Sequence, residues 1–141
     1  MSRKELDIIV PNTKIPIRIA VTNPKGIPSI ISLWYEQIDS KIYCATQKSA
    51  KIVSYLRKNP VCGFEIASDQ PPYKGSRGEG TVEILESRGK EILEILIEKY
   101  LGKKESRLSK YLKNNSEKEV VIEINPQKIS NYDYSKRMKD I

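Results

Sequence analysis

Residues 43–60 read YCATQKSAKIVSYLRKNP. Tyr43, Cys44 and Ala45 form the end of an apolar strand. Thr46, Gln47, Lys48 and Ser49 make a polar turn. Ile52, Val53 and Leu56 then recur at helical spacing, with Ser49 on the same stripe as a candidate N-cap. Asn59-Pro60 stops the helix, because the residue before a proline is pushed out of the α region. The stretch is therefore strand, turn, amphipathic helix.

The turn gathers two hydroxyls (Thr46, Ser49) and two cations (Lys48, Lys51) around the first turn of that helix. A helix N-terminus carries unpaired N–H groups and a partial positive charge. Anions, phosphate above all, bind there readily. Two readings of these residues stand side by side. In one they hold a phosphate; in the other Ser49 caps the helix and the lysines are simply solvated.

Outward from this stretch the chain reads mainly as short strands. Ile15, Ile17, Ile19 and Val21 alternate with Arg18, Ala20 and Thr22, which predicts a half-buried strand. Asn23-Pro24-Lys25-Gly26 is a turn. A second strand over 27–36 completes a hairpin and carries large apolar groups on both faces. That pattern fits a core on one side with a partner or ligand on the other, or burial beneath a helix. Ile38-Asp39-Ser40-Lys41 turns the chain into the strand ending at Thr46. Beyond the central helix, Val61–Ala67 is a further strand. Residues 73–86 open irregularly with YKGSRGEG, where Gly75, Gly78 and Gly80 permit bulges or a close backbone approach, and settle into a strand.

The region 87–101 predicts a helix with Ile92, Leu93, Leu96, Ile97, Tyr100 and Leu101 on one face and Gly102 as its stop. A shorter helix is expected over 106–113, with Leu108, Tyr111 and Leu112 on one side. Residues 119–124 form a clean strand, broken at Asn125-Pro126, and 128–133 a last short one. Residues 2–10 read as a short helix or an extended arm. The sum is a mainly β chain with helices, arranged as a closed or partly closed barrel.

Composition narrows the function. With 141 residues the chain is expected to form one domain with a sizeable core. It contains no histidine, which removes Ser-His-Asp and Cys-His nucleophile systems and histidine metal sites. The two cysteines, Cys44 and Cys62, form neither a CxxC pair nor a disulfide framework. Catalysis would have to use other residues or a cofactor that carries the chemistry itself. The formal net charge of +7 suits nucleic acid or a small anionic ligand, but the basic residues are dispersed. No apolar run approaches the ~20 residues that span a bilayer. The N-terminus lacks a signal-like apolar region, so a cytoplasmic location is expected.

Four segments taken in order carry a resemblance: VTNPKGIPSIISLWYE, IYCATQKSAKIVSYLRKNPVCGFE, PPYKGSRGEGTVEIL and INPQKISNYDYSKRM. Together they make the chain, over roughly 15–138, resemble the FMN-binding split-barrel proteins related to pyridoxamine 5′-phosphate oxidase. That resemblance implies a six-stranded antiparallel split barrel, a single domain over 1–141 with a helical insertion at about 87–113. It also implies a homodimer with a flavin in each of two clefts between protomers. By motif, Thr46, Ser49 and Lys51 match the phosphate-binding turn and helix start. Ile31, Ser32, Leu33 and Trp34 match the strand that runs beside the flavin ring. Lys74 and Arg77 match the basic segment that completes the cleft from the partner subunit. Tyr132 falls where many relatives carry a tryptophan near the cofactor.

Two departures stand out. Ala50 occupies the place of an arginine in the family's turn, so one phosphate ligand is missing unless Lys48 replaces it. The Arg and His that true pyridoxamine phosphate oxidases use for substrate near the C-terminus are absent. The expectation is an FMN-dependent oxidoreductase acting on a small-molecule substrate, with no protein catalytic residue and no metal, and not a true pyridoxamine phosphate oxidase. A deazaflavin-dependent reductase, or a flavin-binding module without turnover, is the alternative. A nucleic-acid-binding β-barrel with Tyr and Trp as stacking platforms ranks last.

Overall fold

The computed structural model describes residues 6–11 and 13–139. Seven antiparallel strands form one sheet in the order β2-β1-β5-β6-β7-β4-β3. They are β1 (Ile17–Thr22), β2 (Pro28–Leu33), β3 (Tyr35–Ile38), β4 (Lys41–Gln47), β5 (Val61–Ala67), β6 (Lys74–Leu85) and β7 (Glu119–Asp133). Helix α1 (Lys51–Lys58) joins β4 to β5. Helices α2 (Gly89–Leu101) and α3 (Arg107–Asn114), followed by one 3₁₀ turn, stand between β6 and β7.

The expected six strands become seven because the strand read over 27–36 is interrupted at Trp34. Its first half, β2, pairs with β1, and its second half, β3, pairs with β4. These two pieces are the opposite edges of the sheet. Since only Trp34 separates them, the sheet curls back on itself into a half-closed barrel. Counted as one bent strand, they restore the count of six.

Two further expectations are corrected. Residues 74–85 form one continuous strand from Lys74 on, without an irregular opening; the glycines serve close contact, and the bulge against β7 falls at Glu79/Gly80. A Cβ on Gly78 would strike the Phe64 ring, and one on Gly75 would stand 2.7 Å from the Tyr132 hydroxyl. Asn125-Pro126 does not break β7, which runs unbroken from Glu119 to Asp133. The register jumps from Gly80↔Pro126 to Glu79↔Lys128, so Gln127 is the extra residue of a β-bulge. A bulge is where a strand tolerates proline.

The turns form as their residues require. The Asn23 side chain accepts from the N–H groups of Lys25 and Ile27, both at 2.9 Å, and Gly26 takes φ 79°. Asp39, at φ 57°, makes the tight connection from β3 to β4. Residues 6–10 run as an extended arm, not a helix: Ile9 N–H donates to Ser76 Oγ (3.1 Å), and Asn131 donates to Asp7 (2.9 Å). Residues 2–5 lie outside the described residues.

Alternation sorts the strands into two faces. Ile17, Ile19, Ile42, Cys44, Phe64, Val120, Ile122 and Ile124 fill the barrel interior, and α1 closes it with Ile52, Val53 and Leu56. On the outside, Tyr43 and Val121 pack against Ile92 and Leu96 of α2. Ser106 caps α3 in a reciprocal bond with Ser109, and Gly102 ends α2 at φ 82°. Among the described residues no helix is long and apolar enough to cross a membrane.

Candidate functional site

The β4–α1 turn is held by backbone bonds alone. Lys48 N–H donates to the Lys118 carbonyl at 2.8 Å, and Ala50 N–H to the Gln47 carbonyl at 2.9 Å. The N-cap is Ala50, at φ −64° and ψ 141°, and its carbonyl accepts from Val53 N–H at 3.1 Å. The expectation that Ser49 caps the helix is therefore corrected by one residue. An alanine cap supplies no side-chain acceptor, and the first turn of α1 holds no acid. Thr46 is half-buried; Lys48, Ser49 and Lys51 are exposed. Among the described residues none of these four side chains forms a hydrogen bond or ion pair. The turn thus presents uncapped N–H groups, two hydroxyls and two cations with no internal acceptor.

Beside it lies β2. Ile31 and its neighbours Ser29 and Ile30 line a hollow of about 350 Å³ together with Lys51, Ile52 and Tyr55. The next residues along the chain face a different space. Ser32, Leu33 and Trp34 line a second hollow of about 350 Å³ with Thr46, beneath α2 and α3. The Trp34 ring stacks on Tyr100 of α2 at 4.9 Å and 6°. Tyr100 Oη accepts from Tyr35 N–H (3.2 Å), and Lys99 Nζ donates to the Tyr35 carbonyl (2.7 Å). Helix α2 thus holds the bend between β2 and β3. Burial lowers the Lys99 pKa, and Glu36 nearby works against that shift.

The basic segment on β6 has a different character. Arg77 Nε bonds Glu65 Oε2 at 3.1 Å, and the Tyr132 hydroxyl donates to the same oxygen at 2.9 Å. The guanidinium lies 4.0 Å over the Tyr132 ring. Arg77 also borders a hollow with Ile30, Arg18 and Gly78 on the outer face of the sheet. Lys74 is exposed at the start of β6, opposite Asp133. Within the chain the expected site residues other than Lys74 therefore fall into three groups. Lys51 and Ile31 form one, with Ser49 and Ala50 at the helix entrance. Ser32, Leu33, Trp34 and Thr46 form the second. Arg77 and Tyr132 form the third.

Ile30 adjoins two of these groups and is 75% exposed. Both readings of the two-faced strand hold in part: it is open at Ile30, while Trp34 and Tyr35 lie against α2. Glu119, Leu93, Leu96, Leu108 and Leu112 also line the second hollow; the sequence marks the leucines only as helix faces and gives Glu119 no site role. The Leu108 and Leu112 stripe was visible, but that it faces Trp34 depends on how α3 folds back. No group of three or more metal-ligating side chains occurs among the described residues.

No protein-family model and no curated protein matches the chain. Solved structures do. A conserved hypothetical protein from Mycobacterium tuberculosis aligns at a TM-score of 0.76 and 21% identity, over 96% of this chain and 92% of that one. An F420 reductase aligns at 0.71 and 17%, over 84% and 91%. A protein related to general stress protein 26, of the pyridoxinephosphate oxidase family, from Clostridium acetobutylicum aligns at 0.64 and 19%, over 86% and 81%. The fold is the split barrel of pyridoxamine 5′-phosphate oxidase-like proteins. At these identities the likeness extends to the fold.

Proposed function

We propose that this chain is a flavin-binding oxidoreductase whose cofactor phosphate sits at the start of α1. The observation that carries the reading is the uncapped α1 N-terminus, with exposed Lys48, Ser49 and Lys51 beside it and Thr46 at the end of β4, none with an internal partner among the described residues. Desolvated polar groups left unpaired are costly, and exposed ones in such a cluster are available to an anion. Ala50 removes one ligand of the family turn, and Lys48, equally unpartnered, is positioned to replace it. Ile31 to Trp34 would run beside the ring system.

Each hollow lies near the small end of the ~300–1,000 Å³ range of ligand sites. One protomer therefore offers part of a flavin cleft, which supports a homodimer in which Lys74, Arg77 and Tyr132 of the second copy complete it. When bound, a flavin supplies hydride transfer itself. The residues of this chain bind the phosphate, orient the ring and exclude water. With no histidine in the chain, none is assigned as acid or base. The chain has no histidine to match the one the family uses on pyridoxamine phosphate, so the substrate proposed is a different small molecule.

FMN is the first choice of cofactor, and a deazaflavin the second, favoured by the likeness to an F420 reductase. The test is an absorbance scan after soaking with FMN and desalting, repeated with F420. A retained flavin band supports FMN. A retained F420 band alone moves the cofactor to the deazaflavin. Retention of neither overturns the proposal.

A further inference from the structure

The hollow beneath α2 and α3 holds a feature that phosphate binding does not use. Its apolar walls are chiefly Trp34, Leu93, Leu96, Leu108 and Leu112; Ser32, Thr46 and Gln47 add polar edges, and Glu119 is its one ionisable lining residue. Glu119 is 8% exposed, and its Oε2 is fully buried with no hydrogen-bond partner. It stands opposite Gln47 across the β4–β7 ladder, and Gly89 packs so tightly on it that a Cβ there would strike the Glu119 carbonyl. Burial pushes the pKa of the Glu119 carboxyl up, as for any carboxylate set in an apolar wall without a partner.

A buried polar atom left unpaired calls for an explanation. We propose that this hollow is a binding site for a small apolar molecule bearing an amine, whose hydrocarbon body packs on the leucines and Trp34 and whose nitrogen donates to Glu119. An ammonium group matches the carboxylate better than a neutral donor, because charge-assisted hydrogen bonds are the stronger kind. An anion of the same shape would meet a like charge. Leu108, 47% exposed, forms the lip through which such a molecule enters. Thr46 and Trp34 belong both to this hollow and to the proposed flavin cleft. Placing the ligand next to the flavin rests on the cofactor reading; the amine site itself does not.

Trp34 is the only tryptophan of the chain, so its emission reports on the hollow directly. Benzylamine, benzyl methyl ether and benzoate are titrated against the full chain, before and after an FMN soak. Benzylamine is expected to saturate at least about tenfold more tightly than the ether, a difference of ~1.4 kcal/mol, and benzoate not to bind. Glu119→Gln should abolish the preference for the amine and leave the ether unchanged. Leu108→Lys, on the exposed lip, should weaken benzylamine and serves should Glu119→Gln fail to fold. Equal binding of amine and ether, or no saturation by benzylamine, overturns the proposal. Amine saturation in protein that retains neither FMN nor F420 leaves this site standing and removes the cofactor reading. Flavin retention without amine saturation does the reverse.

Discussion

The turn at 46–51 and the segment at 74–77 looked alike in sequence: short, polar, with two basic residues each. In the folded chain they differ in what their charges already do. Arg77 is bonded to Glu65 and laid over Tyr132. Among the described residues Lys48 and Lys51 touch no acid, and the helix they introduce has no side-chain cap. A cation with an internal partner has to give it up to bind a ligand; one without does not. In the proposed site the turn is therefore the primary anchor of the anion, and the β6 segment an accessory to it.

The largest expected effect comes from removing what holds the turn in place. Leu56 is fully buried on α1 against the barrel core. Leu56→Ala is expected to cost about 2–5 kcal/mol, read from denaturant unfolding, and to reduce flavin retention along with it. Unchanged retention in a destabilised protein would show that the turn does not depend on α1 docking. On the other side of the comparison, Gly78→Ala drives a methyl into the Phe64 ring. A cost of about 1–3 kcal/mol is expected, and a neutral result would mean that β5 and β6 separate easily.

Ligand binding separates the two regions more finely. Lys51→Ala should weaken FMN about tenfold, the worth of one charge-assisted bond of roughly 1.5 kcal/mol, without changing the unfolding midpoint. Arg77→Ala should weaken FMN less. A larger loss at Arg77 would invert the ranking of the two regions.

The smallest effect concerns pH. The Glu119 carboxyl is raised by burial, so the folded state holds its proton to higher pH than the unfolded chain, whose carboxyl titrates near ~4.3. Between the two values the native state binds more protons, and stability falls as pH rises. Above the raised value the loss is complete. Glu119→Gln should flatten this part of the stability–pH curve, measured by unfolding at closely spaced pH values. An unchanged slope would mean that Glu119 titrates as in the open chain.

Much of the fold was legible because its signals are local. The alternation of Ile17, Ile19 and Val21 marks a strand whatever lies beside it. The spacing of Ile92, Leu93, Leu96 and Ile97 marks a helix. Asn23 and Gly26 encode their own turn through an Asx bond and a positive φ. Two local signals misled. Asn125-Pro126 reads as a strand end, yet a bulge absorbs the proline. Ser49 reads as a cap, yet the helix begins one residue later.

The sequence by itself determined the element types, the mainly β class, the absence of histidine chemistry and the polar residues of the β4–α1 turn. These depend on residue type and near neighbours. Only the tertiary structure decided that Trp34 is the hinge on which one strand becomes two sheet edges. It also decided that Arg77 is already paired while Lys51 is not, and that Glu119 is buried among leucines from two helices. The reason is physical. Burial and pairing join residues far apart in the chain, Glu65 to Tyr132 and Trp34 to Tyr100, and no local pattern records which of them will meet.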